Sequence, residues 1–150
     1  EGQQFTFDWT PLAGNANADV EAAYPGDDVV DVIGLDAYDT SSLTDPEERW
    51  ADQLDRQYGL RWHADFAAAH GKPMSFPEWG VTVREGDALG GGDARLYMER
   101  MLDWISRHDV RYALYFDVDA SDAAHQLSAG RFPEAAAVLL RWSATRDHQL

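Results

Sequence analysis

Residues 73–80 read PMSFPEWG. A short hydrophobic run closes on a glutamate, Glu78, set between Pro77 and Trp79. Strand alternation from Met74 puts Met74 and Phe76 on one face and Ser75 and Pro77 on the other. Glu78 then shares the face of Met74 and Phe76, one layer nearer the strand end. A carboxylate so placed is partly removed from water and requires a partner. Tyr38, on the neighbouring strand, is the candidate to supply a hydroxyl. The alternative is a structural acid bonded to loop amides.

The same ending recurs along the chain. Four segments rich in β-branched and aromatic residues read as buried strands: Phe5–Trp9 (FTFDW), Val29–Ala37 (VVDVIGLDA), Pro73–Trp79 and Val110–Val118 (VRYALYFDV). Each closes on an acid beside an aromatic: Asp8-Trp9, Asp36 with Tyr38, Glu78-Trp79, and Asp117 after Tyr115-Phe116. Between the strands lie helical patterns. TDPEERWADQLDR has Asp45 as N-cap, Pro46 at the first helical position and Glu48 for a capping box. LRWHADFAAAH stops at Gly71, which suits a left-handed C-cap. In ARLYMERMLDWISRH, Asp93 is the expected N-cap, and Tyr97, Met101 and Ile105 form an apolar stripe with Met98 and Leu102. PEAAAVLLRWSATR begins at Pro133. The segment PLAGNANADVEAAYPGDD reads as loop with one helical turn.

Alternating strand and helix predicts parallel pairing with crossover helices. No linker or low-complexity tract divides the chain, so residues 1–150 read as one domain. A (β/α)8 barrel needs ~250 residues, and 150 therefore accommodate about half of one. The opening EGQQFTFDW runs almost at once into a strand and lacks an initiator methionine, as a piece of a longer protein would.

Composition narrows the partners. The chain is 45% hydrophobic and 26% charged, in the globular range, with 27 acids against 12 Lys and Arg and a formal charge of −15. Such a charge repels nucleic acid and disfavours an anionic membrane, while a neutral polymer is indifferent to it. No segment approaches the ~18 apolar residues of a membrane span. With no cysteine there is no disulfide frame, thiolate ligand or cysteine nucleophile.

In parallel βα architectures the C-terminal strand ends are where sites are built. Carboxylates beside flat rings suit carbohydrate: acids accept from hydroxyls or attack an anomeric carbon, and rings cover apolar sugar faces. One such acid reads as a loop cap; four in phase read as a site.

Three runs carry a family resemblance: YPGDDVVDVIGLDAYD (Tyr24–Asp39), GLRWHADFAAAHGKPMSFPEWGV (Gly59–Val81) and GGGD (Gly90–Asp93). They resemble the C-terminal half of glycoside hydrolase family 26, the endo-β-1,4-mannanases with some β-glucanases and xylanases. The resemblance implies a retaining enzyme on a (β/α)8 barrel, with the four strands here as its fifth to eighth. It implies Glu78 as nucleophile, Tyr38 as its hydrogen-bond partner, and Asp36 and Trp79 as sugar-binding residues. Trp9, Asp8, Tyr115 and Asp117, at the other strand ends, are further substrate-binding candidates. The implied partner is β-mannan or a related neutral polysaccharide met outside the cell, with no cofactor and no metal. The alternatives are a glucan or xylan substrate, and a half-barrel that binds glycan or scaffolds without cutting.

The chain departs from the family in lacking the His-Glu pair that carries the acid/base. A retaining mechanism needs two carboxyls roughly 5–5.5 Å apart. The piece alone is therefore expected to be inactive, and to dimerise, aggregate or stand beside its missing N-terminal half.

Other signals carry less. The GGGD run lacks the lysine and spacing of a phosphate loop. Asp117, Asp119 and Ser121 begin a calcium-loop pattern that fails at Asp122 and Ser128. His63, His70, His108, His125 and His148 show no ligand spacing, and His70 and His108 suit helix C-termini. Trp50, Trp62, Trp104 and Trp142 fall in helices as packing residues. Ser75 sits in no nucleophile elbow.

Overall fold

A computed structural model describes residues 5–14, 17–86 and 89–146, so His148 lies outside the described residues. The strands are β1 (Asp8–Trp9), β2 (Val32–Gly34), β3 (Ala37–Tyr38), β4 (Met74–Gly80) and β5 (Val110–Tyr115). The helices are α1 (Pro46–Asp55), α2 (Leu60–His70), α3 (Arg95–Arg107) and α4 (Pro133–Arg146), with a 3₁₀ turn at Glu21–Ala23. Every strand pairing is parallel. β2 and β3 follow one path: Ile33 lies opposite Met74 at the start of β4, and Ala37 opposite Trp79 near its end. The expected strand Val29–Ala37 is thus seen as two pieces, interrupted at Leu35–Asp36, where Asp36 bridges to Leu12. Chain order and spatial order agree, with β1 and β5 at the edges. This is the wall of an α/β barrel, strand alternating with helix.

Local chemistry sets the helix ends. Asp45 Oδ1 accepts from the N–H groups of Glu47 and Glu48, both at 3.0 Å, with Pro46 opening α1. Gly71 closes α2 in the left-handed conformation at φ +61°. The expectation for Asp93 is corrected. Ala94, with no side-chain cap, precedes α3, and Asp93 instead accepts from the N–H groups of Glu134 and Ala135 at 2.9 and 2.8 Å. Pro133 has no N–H to offer, so these are the first free amides of α4, and Asp93 binds the two helix starts together.

The core lies between the sheet and the helices. Ile33, Leu35, Met74 and Phe76 are buried there against Leu60, Ala67, Met98, Met101, Leu102, Phe132 and Ala135. The expected stripe on α3 is buried at Tyr97, Met98, Met101 and Leu102. Trp79 joins the same cluster although it stands three residues from Phe76. Strict alternation would send it to the opposite face. The β4–β5 ladder shifts register between Phe76 and Trp79, around Pro77, which has no N–H to give to a ladder. The expected side for Glu78 is corrected accordingly: Met74 and Phe76 are in the helix-side core, while Glu78 turns toward Tyr38.

A buried ion pair closes the loop after β3. Arg49 bonds Asp39 Oδ1 at 2.6 Å and donates to the carbonyls of Ser41 and Leu43 at 2.7 and 2.6 Å. Burial pushes the Asp39 carboxyl up, and Arg49 pulls against it. Gly91 packs directly on this pair, where a Cβ would collide with Asp39 Oδ2.

His63, fully buried on α2, holds Nε2 2.8 Å from the Ile33 carbonyl. The carbonyl only accepts, so Nε2 carries the proton and Nδ1 is bare. Burial pushes the ring down to about 4 from its ordinary 6.5. The folded state therefore excludes the proton that the unfolded chain takes up below 6.5. Its contribution is complete above that pH and is lost as pH falls toward 4, by about 3 kcal/mol. Urea unfolding across this window should lose stability with acid, and His63→Gln should flatten that part of the slope.

Candidate active site

The C-terminal ends of β3, β4 and β5 open on a cleft of about 300 Å³, lined by Tyr38, Glu78, Thr82, Arg84, Phe116 and His125 among others. The Tyr38 hydroxyl donates to Glu78 Oε2 at 2.7 Å. The register sets this meeting: Tyr38 lies opposite Gly80, so its phenol reaches back to the residue two before. Tyr38 is itself held, since Gln53 Nε2 donates to its carbonyl at 2.6 Å. Its ring lies 4.7 Å from the His125 ring and edge-on to Phe116 at 5.8 Å. Burial first, then the Glu78 carboxylate, pushes the Tyr38 phenol far up, so it stays protonated and remains a donor.

Asp36 belongs to the same cluster. Burial pushes its carboxyl up to about 6, the Glu78 charge adds to this, and the Glu78 main-chain N–H draws it back. Asp36 Oδ1 is buried without a hydrogen-bond partner among the described residues. Asp36 thus stands as a half-buried carboxyl of raised pKa beside Glu78.

The remaining candidates lie elsewhere. Asp8 sits one tier below, accepting from Thr10 at 2.8 Å, Ser75 at 2.5 Å and Tyr112 at 2.6 Å. Gly34 leaves room for this network, since a Cβ there would press on Asp8, Thr10 and Ser75. Trp9 faces Tyr24 and Phe66, with centroids at 5.0 and 5.6 Å. Trp79 is 2% exposed, its ring edge-on to Tyr115 at 5.2 Å, and it offers no face to a ligand here. Tyr115 spends its hydroxyl on the His125 carbonyl at 2.8 Å. Asp117 accepts from the Ser128 N–H at 3.0 Å, which holds its carboxyl below the usual range. It is a loop cap, the alternative reading of an acid at a strand end. Thus Asp36, Tyr38 and Glu78 are brought together and the others are not.

His125, which shows no ligand spacing in the sequence, Phe116, and the unremarked Thr82 and Arg84 also line this cleft. Phe116 was adjacent to a named candidate; His125 arrives from a loop and carries no local signature. A larger crevice of about 670 Å³ lies between the loop after β3 and the glycine run. Its charged groups are already committed, Arg49 to Asp39, Asp93 to α4, and Arg95 and Glu99 to each other. Among the described residues no group of three or more His, Cys, Asp or Glu could hold a metal ion.

Residues 3–76 match the profile of glycosyl hydrolase family 26, ending two residues before Glu78. A mannan endo-1,4-β-mannosidase of Bifidobacterium adolescentis is 34% identical over 89 residues, 55% of this chain and 8% of that protein. A modular endo-β-1,4-mannanase from Cellulomonas fimi superposes with a TM-score of 0.51 at 31% identity, over 79% of this chain and 26% of that one. A family 26 protein from a Muricauda species superposes at 0.60 and 19% identity over 93% and 36%, a likeness of fold. The chain therefore spans well under half of each of these relatives.

If Glu78 raises Asp36 through its charge, Glu78→Gln should lower the Asp36 titration, followed by carboxyl ¹³C NMR, from about 6. Because burial is the larger cause, Asp36 should still titrate above the ordinary aspartate value.

Proposed function

We propose, from the premise that this chain is akin to glycosyl hydrolase family 26 over about half its length, that it carries the nucleophile half of a retaining β-mannanase site. The chain then supplies the last four βα units of a (β/α)8 catalytic barrel. The observation that carries the reading is the 2.7 Å hydrogen bond from Tyr38 to Glu78 Oε2 at the strand ends. Tyr38 occupies one carboxylate oxygen and leaves Oε1 for the anomeric carbon. Attack there forms the glycosyl–enzyme ester as the leaving oxygen departs, and water later releases the sugar. A tyrosine donor also disperses charge on the carboxylate when the ester breaks. Asp36, half-buried beside Glu78, is placed to hydrogen-bond a sugar hydroxyl, and Phe116 to line the glycone site. Trp79 supports the nucleophile from behind, through the core.

The proton donor is the piece this chain does not contain: no His-Glu pair occurs in the sequence. It comes, in this reading, from the upstream half of the barrel. The same half would cover the exposed apolar side chains at the sheet edges, Phe5 and Phe7 near β1 and Leu114 on β5, which are 69%, 57% and 57% exposed. The reading places the protein outside the cell, where a mannan polymer is met.

Two experiments test this. In the chain joined to its upstream half, Glu78→Ala should cut β-mannan hydrolysis roughly 10⁴-fold or more, and retained near-normal hydrolysis rejects the assignment. The chain alone, on size-exclusion chromatography, should self-associate through its open edges; a cooperative, well-folded monomer counts against the missing wall.

A further inference from the structure

His125 is anchored through nearly every polar atom it has. Its main-chain N–H donates to Asp119 Oδ1 at 3.0 Å, and its carbonyl accepts from the Tyr115 hydroxyl at 2.8 Å. Its Nδ1 lies 2.9 Å from the Val81 carbonyl and 3.3 Å from Thr82 Oγ1. A carbonyl can only accept, so Nδ1 carries a proton and donates it to Val81. The preceding residue is tied as well: Ala124 exchanges two main-chain hydrogen bonds with Val83, at 2.9 and 3.0 Å. These bonds come from β4's extension, β5 and the Asp119 loop, three separate stretches of chain converging on one residue.

The ring so held is 5% exposed and packs on Tyr38 at 4.7 Å, tilted by 47°. Phe116 approaches Tyr38 edge-on and stands 5.5 Å from His125, so the three rings enclose one another. With the Tyr38 carbonyl held by Gln53, the phenol's remaining freedom is rotation of its side chain. His125 and Phe116 occupy the space into which it would rotate.

We propose that His125 is a positioning residue for the nucleophile: its anchored ring braces Tyr38, keeping the phenol hydroxyl on Glu78 Oε2. This rests on the assignment of Glu78 as nucleophile and adds to it a residue from the loop after β5. A carboxylate whose partner is pre-oriented needs no rearrangement when the sugar arrives. The brace acts through packing, so a ring of similar shape should replace it.

The test reads Tyr38 directly. In the chain joined to its upstream half and labelled with ¹³Cζ-tyrosine, the Tyr38 resonance is identified by its loss in Tyr38→Phe. In folded His125→Leu this resonance should move toward that of free tyrosine. Labelling of Glu78 by 2,4-dinitrophenyl 2-deoxy-2-fluoro-β-mannoside, whose leaving group needs no protonation, should slow about tenfold. His125→Phe should restore the tyrosine signal and recover most of the lost rate. An unmoved signal in folded His125→Leu, or an equal displacement in both variants, overturns the proposal. Should His125→Leu fail to fold, a displaced signal in His125→Phe overturns it alone, and an unmoved one sustains it. Absence of labelling in the unaltered chain joined to its upstream half would reject Glu78 as nucleophile, while the tyrosine signal would still decide the brace.

Discussion

One hydrogen bond between neighbouring parallel strands organises this molecule: Tyr38 to Glu78 Oε2. It exists because the two strand ends stand at the same height, with Ala37 opposite Trp79 and Tyr38 opposite Gly80. It also exists because β4 departs from alternation at Pro77. A regular strand would have turned Glu78 into the helix-side core with Phe76, where a carboxylate could not remain ionised at tolerable cost. The irregularity keeps Trp79 in the core and sends the carboxylate the other way. Packing and chemistry are thus separated within three residues.

The surroundings convert that bond into a defined geometry. Gln53 reaches from α1 to the Tyr38 carbonyl, and His125 and Phe116 flank the phenol. The loop carrying His125 is stiffened by acids that serve as caps: Asp119 for residues 125 and 126, and Asp117 for residue 128. Below this tier, Asp8 gathers Thr10, Ser75 and Tyr112 into a second polar layer, made possible by the absence of a side chain at Gly34. The excess of acids over bases, 27 against 12, therefore includes structural acceptors, with Asp45 and Asp93 serving helix starts in the same way. Among the named candidates, Asp36 and Glu78 stand together with the Tyr38 hydroxyl, Glu78 lining the cleft.

Much of this was legible in the chain. Four strands closing on acids, Asp45 with Pro46 and Gly71 at helix ends, and the α3 stripe all express periodicities and local conformational preferences that neighbours in sequence enforce on each other. The α/β barrel class follows from their alternation, and the pairing of Tyr38 with Glu78 was readable once two adjacent strands were assumed. Asp93 was legible as a cap but not as the cap of α4, because two helix starts brought side by side compete for one carboxylate.

What the sequence by itself determined is the set of elements, their parallel order and the acids at their ends, since hydrophobic period and end-capping are local properties. What only the tertiary structure decided is which acids share a site. Asp8 and Asp117 have the same local signature as Asp36, yet one is drawn into an interior network and the other into a loop cap. His125 had no signature and lies against Tyr38. Such choices depend on distances across strands and loops, where sequence separation carries no information about height, facing or competing partners.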